Sequence, residues 1–171
     1  MKKIYDLVFL GRLAPEKRLD VLIDIAKYAK KNGRNIRIAV MGDGPSKKWF
    51  LKKISQNKMQ QIISYLGKSK KPDNIIQKSK LLILPSENEG LPLVILEASE
   101  YNIPAVIANF PGAKNLITHN KTGWIVDQYK KFPAAVLHIL EKSNDMERVG
   151  KTAHKLFKNR YTEKNIQKFV D

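Results

Sequence analysis

The sequence predicts a single α/β domain built on a parallel sheet. Short apolar segments alternate with segments of helical periodicity along the whole chain, which is typical of repeated strand–helix units. Residues 81–84 are almost continuously apolar, as expected for a parallel strand buried on both faces. The length of 171 residues suits one domain, and 43% hydrophobic with 28% charged residues excludes a disordered or collagen-like chain.

Six apolar segments predict strands, and most of them end in a loop that contains glycine or proline. The predicted strands cover residues 4–10, 36–41, 61–66, 81–84, 105–108 and 122–126. Between them, apolar residues recur at helical spacing, as Leu19, Leu22 and Ala26 do. The predicted helices cover residues 17–31, 49–54, 74–79, 92–101, 132–142, 146–157 and 163–170.

Parallel strands joined by helices cross over with a right-handed sense, so these elements predict one Rossmann-like, doubly wound sheet. We find no internal repeat or linker, and the predicted domain spans residues 1–171. Ligands of such sheets bind beyond the carboxyl ends of the strands, where the strand order reverses. The loops that follow the strands are therefore the place to look for a site.

The net charge of +16 is the strongest compositional signal. Such an excess attracts phosphate-bearing partners, which include nucleotides, nucleic acid and anionic lipid surfaces. Lysine supplies most of the 32 basic residues, so a host with biased codon usage explains the charge equally simply. The basic loop at residues 68–71, with Lys78 and Lys80, is the best candidate for a functional cation patch; a solvated loop is the alternative.

Several function classes find no support in the sequence. The absence of cysteine excludes disulfides, thiolate zinc sites and cysteine nucleophiles, and it fits a cytoplasmic location. No apolar run approaches the roughly 20 residues of a membrane span. Residues 42–45, Gly-Asp-Gly-Pro, match only part of a dinucleotide-binding fingerprint, and no phosphate-binding P-loop motif occurs.

The loop after the fourth predicted strand has the character of an anion site. Pro92 marks the start of a helix, whose free backbone N–H groups and dipole favour negative charge. Glu89 precedes this helix and Glu97 lies inside it, with a side chain that leans back toward the same end. Two carboxylates there suit hydroxyls at opposite ends of a phosphorylated ligand; two solvated glutamates are the alternative.

The loop after the first predicted strand supplies two cations. Arg12 and Lys17 could meet the phosphates of a ligand from the other side of the cleft, although both could also be solvated surface charges. A cation at the start of a helix is electrostatically disfavoured unless an anion is near. Lys17, at the start of the first predicted helix, therefore indicates a nearby anion.

These motifs, in this order, resemble the C-terminal, donor-binding domain of retaining glycosyltransferases with the GT-B fold, of the group known as glycosyl transferases group 1. The most specific match is the pair of glutamates with seven residues between them, Glu89 and Glu97. The motifs are Phe9-Leu10-Gly11-Arg12-Leu13 with Glu16-Lys17, Gly42-Asp43-Gly44-Pro45, Leu66-Gly67, residues 84–98 and residues 122–126.

The resemblance implies a role for each matching residue. Arg12 and Lys17 would bind the donor diphosphate, Glu97 the ribose hydroxyls, and Glu89 the hydroxyls of the donor sugar near the reacting carbon. Backbone groups of the turn into the helix would hold phosphate, and the Gly67-Lys68 segment would lie along the base. The backbone groups belong to Gly90, Leu91, Leu93 and Val94. No metal is needed, because cations and a helix N-terminus supply the positive charge.

The resemblance also implies partners. The donor would be a UDP- or GDP-sugar, and the acceptor a glycan or a lipid-linked glycan, in bacterial surface polysaccharide synthesis. A GT-B enzyme has two domains, so we expect the N-terminal, acceptor-binding domain to be absent from this chain and the isolated chain to transfer nothing. The protein would be cytoplasmic, with possible peripheral contact at an anionic membrane.

Two alternatives remain open at the level of the sequence. The charge of +16 suits a nucleic-acid-binding module, but aromatic residues are not interleaved with the lysine runs as stacking on bases requires, so we expect no specific nucleic acid partner. A fragment of a nucleotide-sugar epimerase is the other alternative. It fits less well, because the paired glutamates with Gly-Arg-Leu are typical of the transferases.

Overall fold

The protein is a six-stranded parallel sheet covered by helices. A computed structural model describes residues 2–69, 71–90 and 92–160. The strands stand in the order β3-β2-β1-β4-β5-β6, and all five pairings are parallel. The strands are β1 (Tyr5–Leu10), β2 (Ile38–Met41), β3 (Ile63–Gly67), β4 (Ser79–Leu84), β5 (Ala105–Ala108) and β6 (Trp124–Val126).

The helices form two contacting groups, as in a doubly wound sheet. Helix α1 packs against α2 and α6, and α4 packs against α3 and α7; the consecutive helices α6 and α7 also contact each other. Short 3₁₀ turns at Pro15–Lys17 and Tyr129–Lys131 precede α1 and α6. The helices are α1 (Asp20–Lys31), α2 (Lys47–Gln56), α3 (Asp73–Gln77), α4 (Leu93–Glu100), α5 (Ala113–Leu116), α6 (Phe132–Glu141) and α7 (Ser143–Arg160). The predicted fold class is confirmed.

The strand order reverses between β1 and β4. Strand β1 pairs with β2 on one side and with β4 on the other, so that Leu7 lies opposite both Ile38 and Leu81. The chain fills one half of the sheet with β1 to β3, then crosses to β4 and fills the other half. The loops after β1 and β4 therefore meet at the carboxyl edge, at the point where such sheets bind ligands.

The core surrounds the central strands, whose apolar residues are buried on both faces. All four residues of β2 and of β5 are buried, and Leu7 to Leu10 of β1 are buried as well. The helix and strand patterns of the sequence predict that the aromatic residues Trp49, Trp124, Phe132 and Phe157 are mostly core. Trp124, Phe132 and Phe157 are buried, whereas Trp49 is 43% exposed. Phe50 and Ile54 take the buried positions of α2, which leaves Trp49 on the outer face.

Several element bounds differ from the prediction for local reasons. Helix α1 begins at Asp20 rather than Lys17, because the 3₁₀ turn ends at Arg18 in a left-handed conformation (φ 50°, ψ 52°). Strand β6 omits Thr122 and Gly123, and the four-residue helix α5 was not predicted. Helix α7 is longer than predicted, and the predicted helix at 163–170 lies outside the described residues.

The glycines of the Gly-Asp-Gly-Pro loop allow two backbones to pack at van der Waals distance. A Cβ atom at Gly42 would lie 1.8 Å from the carbonyl oxygen of Gly11, and one at Gly44 would lie 2.4 Å from that of Leu13. The two loops are joined by backbone hydrogen bonds; in one of them, the N–H of Leu13 donates to the carbonyl oxygen of Asp43 at 2.9 Å. The motif that partly matches a dinucleotide fingerprint thus serves the contact between the loops after β1 and β2.

We expect Gly42→Ala to lower the free energy of unfolding by about 3 kcal/mol, because a left-handed φ of 141° and a backbone clash add together. Gly33→Ala is the matched control, since Gly33 also has a positive φ (65°) but has nothing within 4 Å of the added Cβ. It should cost only about 1 kcal/mol. Urea denaturation of both variants measures the difference, and equal losses would contradict the close packing of these loops.

Candidate functional site

A hollow of about 450 Å³ opens at the carboxyl edge, beyond β1, β2 and β3. It contains two of the predicted cations, Arg12 and Lys68. Arg12 is exposed and forms no ion pair with any residue that the structure describes. The lining residues are Leu10, Gly11, Arg12, Met41, Gly42, Asp43, Lys68, Ser69 and Pro72. Gly67, the last residue of β3, precedes this segment in a left-handed conformation (φ 70°).

Lys17 and Glu89 form an ion pair across the point where the strand order reverses. The Lys17 Nζ atom lies 2.7 Å from Glu89 Oε1, and the side chains are only 17% and 12% exposed. Lys17 comes from the loop after β1 and Glu89 from the loop after β4, which are neighbours in the sheet. The anion that the sequence indicated beside Lys17 is therefore, in this structure, a carboxylate of the chain itself.

A backbone hydrogen bond strengthens the same contact. The N–H of Glu87 donates to the carbonyl oxygen of Glu16 at 2.8 Å, one residue before Lys17 and two before Glu89. A third link joins Arg18 Nη1 to Glu87 at 3.4 Å. Residues 16 to 18 thus contact residues 87 to 89 through backbone and side chains alike, which holds the two loops together.

Glu97 lies on α4 with an exposed side chain, and no described residue donates a hydrogen bond to its carboxylate. Desolvation by the surrounding protein raises the pKa of its carboxyl group, and the negative charge of Asp73 raises this pKa further. The ionised carboxylate is therefore disfavoured relative to one in water. Donors brought by a ligand would relieve this cost, because hydrogen bonding to the charged form stabilises it.

The N-terminus of α4 carries backbone N–H groups that have no acceptor among the residues the structure describes. Leu93 is the first helical residue, and neither its N–H nor that of Val94 donates to an acceptor in the described part of the chain. Gly90 has open space around its Cα, and Leu91 lies outside the described residues. Pro92 accepts a hydrogen bond from Ile95 at 2.9 Å.

The predicted site residues thus lie in two groups along one edge. Arg12 and Lys68 line the hollow, whereas Lys17 and Glu89 form the ion pair at the reversal point. Neither Glu89 nor Glu97 lines that hollow. The sequence reasoning missed Arg18, which contacts Asp20, Glu87 and Tyr129. A third cation immediately after Lys17, followed two residues later by an acid, was the available signal.

Within residues 2–69, 71–90 and 92–160, no group of three or more histidines or carboxylates is arranged to hold a metal ion. In the same ranges, no helix combines the length and the apolar character needed to cross a bilayer.

Comparison with known proteins places the chain in a family. The model of the family described as glycosyl transferases group 1 matches residues 2–156. The chain belongs to this family. The resemblance seen in the sequence is therefore confirmed, and the sheet is that of the C-terminal domain of a GT-B fold.

Relatives of this glycosyl transferases group 1 chain are considerably longer than it is. The chain is 27% identical over 159 residues to alpha-D-kanosaminyltransferase of Streptomyces kanamyceticus. This match covers 91% of the chain and 41% of the relative. It is 26% identical over 155 residues to poly(glycerol-phosphate) alpha-glucosyltransferase of Bacillus subtilis, with 89% and 23% covered. The chain thus spans less than half the length of these relatives.

Solved structures share the fold at low identity. TarM from S. aureus, crystallised with UDP among other ligands, superimposes with a TM-score of 0.88 at 22% identity over 99% of this chain and 35% of that one. The C-terminal domain of a group 1 glycosyl transferase, LpcC of Francisella tularensis, gives 0.80 at 17% identity and covers 95% of this chain and 88% of its own.

We expect the Lys17–Glu89 pair to be coupled by about 1 to 2 kcal/mol, because both side chains are largely shielded from water. A double-mutant cycle of Lys17→Met and Glu89→Gln, followed by urea denaturation, measures the coupling energy. The exposed i,i+4 pair Lys151–Glu147, taken through Lys151→Met and Glu147→Gln, is the matched control and should show a smaller coupling of at most about 0.5 kcal/mol. Similar values for both pairs would mean that the Lys17–Glu89 contact is not formed in solution.

Proposed function

We propose that this chain is the donor-binding domain of a retaining glycosyltransferase, which moves a sugar from a UDP- or GDP-sugar to a glycan or lipid-linked acceptor. The observations that carry the proposal are the Lys17–Glu89 pair at the reversal point and the cation Arg12, unpaired among the described residues, in the hollow at the same edge. Similar proteins support it: one is named as a poly(glycerol-phosphate) glucosyltransferase, and TarM was crystallised with UDP. The cellular role would be bacterial surface polysaccharide synthesis.

The diphosphate of the donor would lie between Arg12, Lys17 and the first turn of α4. As the bond between sugar and phosphate breaks, negative charge grows on the leaving diphosphate. Fixed cations and the backbone donors of Leu93 and Val94 stabilise that charge, which is the electrostatic part of the catalysis. With this much positive charge from the protein, transfer needs no metal ion.

Glu89 would bind hydroxyls of the donor sugar next to the reacting carbon. A carboxylate so near a diphosphate is repelled by it unless a cation stands between them. Lys17, whose Nζ lies 2.7 Å from Glu89 Oε1, is placed to be that cation and can reach a phosphate oxygen while it still neutralises the acid. The sugar and phosphate contacts are therefore linked through one ammonium group.

Glu97 would accept hydrogen bonds from the ribose hydroxyls of the nucleotide. The raised pKa of its carboxyl group and the lack of a donor among the described residues support this role, because the hydroxyls would stabilise its ionised form. The Gly67-Lys68 segment would lie along the base, at the far side of the hollow that Arg12 also lines.

The acceptor would bind to a second, N-terminal domain that faces this edge of the sheet in the complete enzyme. The isolated chain would then bind the donor without transferring the sugar. A cytoplasmic protein with peripheral contact at an anionic membrane suits this role, since the basic loop near Lys68 could attract anionic headgroups as well as an anionic donor.

We expect the chain to bind nucleoside diphosphates and their sugars saturably, with EDTA present or absent. Isothermal titration with UDP, GDP, UDP-glucose, UDP-N-acetylglucosamine and GDP-mannose measures this at two salt concentrations. Glu97→Ala should lower the affinity for these nucleotides by roughly tenfold or more, because it removes hydrogen bonds to a charged group. Incubation of the chain with donor and a sugar acceptor should give no product.

The matched control is Glu141→Ala, which removes the same charge from an exposed ion pair with Arg34. Its nucleotide affinity should equal that of the wild type. Turnover by the isolated chain would refute the two-domain interpretation. Nucleotide binding that Glu97→Ala leaves unchanged would refute the assigned site, and binding of a short oligonucleotide alone, with a steep salt dependence, would refute the proposed function.

A further inference from the structure

Arg18 adopts a backbone conformation that costs free energy. With φ 50° and ψ 52° it lies in the left-handed region, which only glycine enters without steric penalty. The residue ends the 3₁₀ turn at Pro15–Lys17, and its N–H donates to the carbonyl oxygen of Pro15 at 3.1 Å. Glycine would make the same turn with less strain, and the contacts of the Arg18 side chain are placed to offset that cost.

The guanidinium of Arg18 contacts three partners at once. It forms a forked pair with Asp20, through Nη2 at 2.7 Å and Nε at 3.0 Å. Its Nη1 lies 3.4 Å from Glu87 Oε1, and its Cζ lies over the ring of Tyr129, 3.9 Å from the centroid. The hydrogen bonds to Asp20 are the main reason that the pKa of Arg18 is raised further above its usual value.

These partners belong to different loops of the same edge. Arg18 and Asp20 follow β1, Glu87 follows β4, and Tyr129 follows β6. One side chain therefore joins three loops at the carboxyl edge. The guanidinium is occupied by Asp20, Glu87 and the Tyr129 ring. It is therefore not available to a diphosphate in the way that Arg12 is.

We infer that Arg18 is a positioning residue, which holds Glu87 and with it Glu89 in place for the sugar end of the donor. The inference rests on the proposed function of this site. Glu87 is tied to the first loop by the Arg18 side chain and by the Glu16 carbonyl, and Glu89, two residues further on, is tied by Lys17. When Arg18 is lost, the sequence of the loop after β4 is unchanged, but the loop is no longer held in position relative to Lys17.

Arg18→Gly tests the inference, because it removes the side-chain contacts and the backbone strain together. The melting temperature should change by no more than about 4 °C. The affinity for the nucleotide sugar that the wild type binds best, from UDP-glucose, UDP-N-acetylglucosamine and GDP-mannose, should fall about tenfold, and the affinity for the matching nucleoside diphosphate only about two- to threefold. A residue that touched the diphosphate itself would weaken both ligands equally.

Arg18→Lys separates positioning from charge. Lysine keeps the positive charge but loses the forked contact with Asp20 and the contact of the guanidinium with the Tyr129 ring. This variant should therefore lose affinity for the nucleotide sugar as Arg18→Gly does. Lys58→Gly is the matched control for both changes. Lys58 is also a left-handed cation (φ 54°) and is exposed, and it lies before β3, away from the carboxyl edge. Its replacement should leave all affinities unchanged.

Hydrogen exchange in the absence of nucleotide reports the loop directly. In Arg18→Gly the amide of Glu87 should exchange about tenfold faster than in the wild type, while the amides of β1 keep their protection. An unchanged Glu87 amide, an unchanged affinity for the nucleotide sugar, or full rescue by Arg18→Lys would overturn the inference. Failure of the wild type to bind any of the nucleotides would instead overturn the proposed function on which it rests.

Discussion

The ion pair between Lys17 and Glu89 determines the organisation of the carboxyl edge. The two residues are 72 positions apart in the chain, yet they meet because β1 and β4 are neighbours in the sheet. Their side chains are nearly shielded from water, where an unpaired charge would be costly. Any anionic ligand that enters at this point must therefore share Lys17 with Glu89, which links recognition of phosphate to the placement of a carboxylate.

Close backbone packing makes this edge rigid enough to hold such a pair. The loop after β1 lies against the glycines of the loop after β2, and it also accepts a hydrogen bond from the loop after β4. Arg18 then ties the same loop to the segment after β6 through Tyr129. Lys17 and Arg18 thus lie on a segment that is held from both sides, whereas Arg12, earlier in the same loop, lines the hollow.

The fold was predictable because burial on both faces leaves a strong mark on parallel strands, as in Leu81 to Leu84. That Glu89 precedes α4 and Glu97 lies inside it followed from Pro92 and from the family's spacing. The pairing of Lys17 with Glu89 did not, because it depends on strand order and on a 3₁₀ turn that displaces Lys17 from α1. The role of Arg18 was not predicted, because left-handed backbone at a non-glycine residue leaves no periodic signal. The exposure of Trp49 was not predicted either, because the neighbouring Phe50 fills the core position of α2.

A crystal structure of the chain with a bound nucleoside diphosphate tests the central claim most directly. The account predicts that the phosphates lie between Arg12 and the first turn of α4, with the Lys17 ammonium within hydrogen-bond distance of a phosphate oxygen and the ribose hydroxyls on Glu97. Phosphates bound elsewhere, with the Lys17–Glu89 pair untouched, would contradict it.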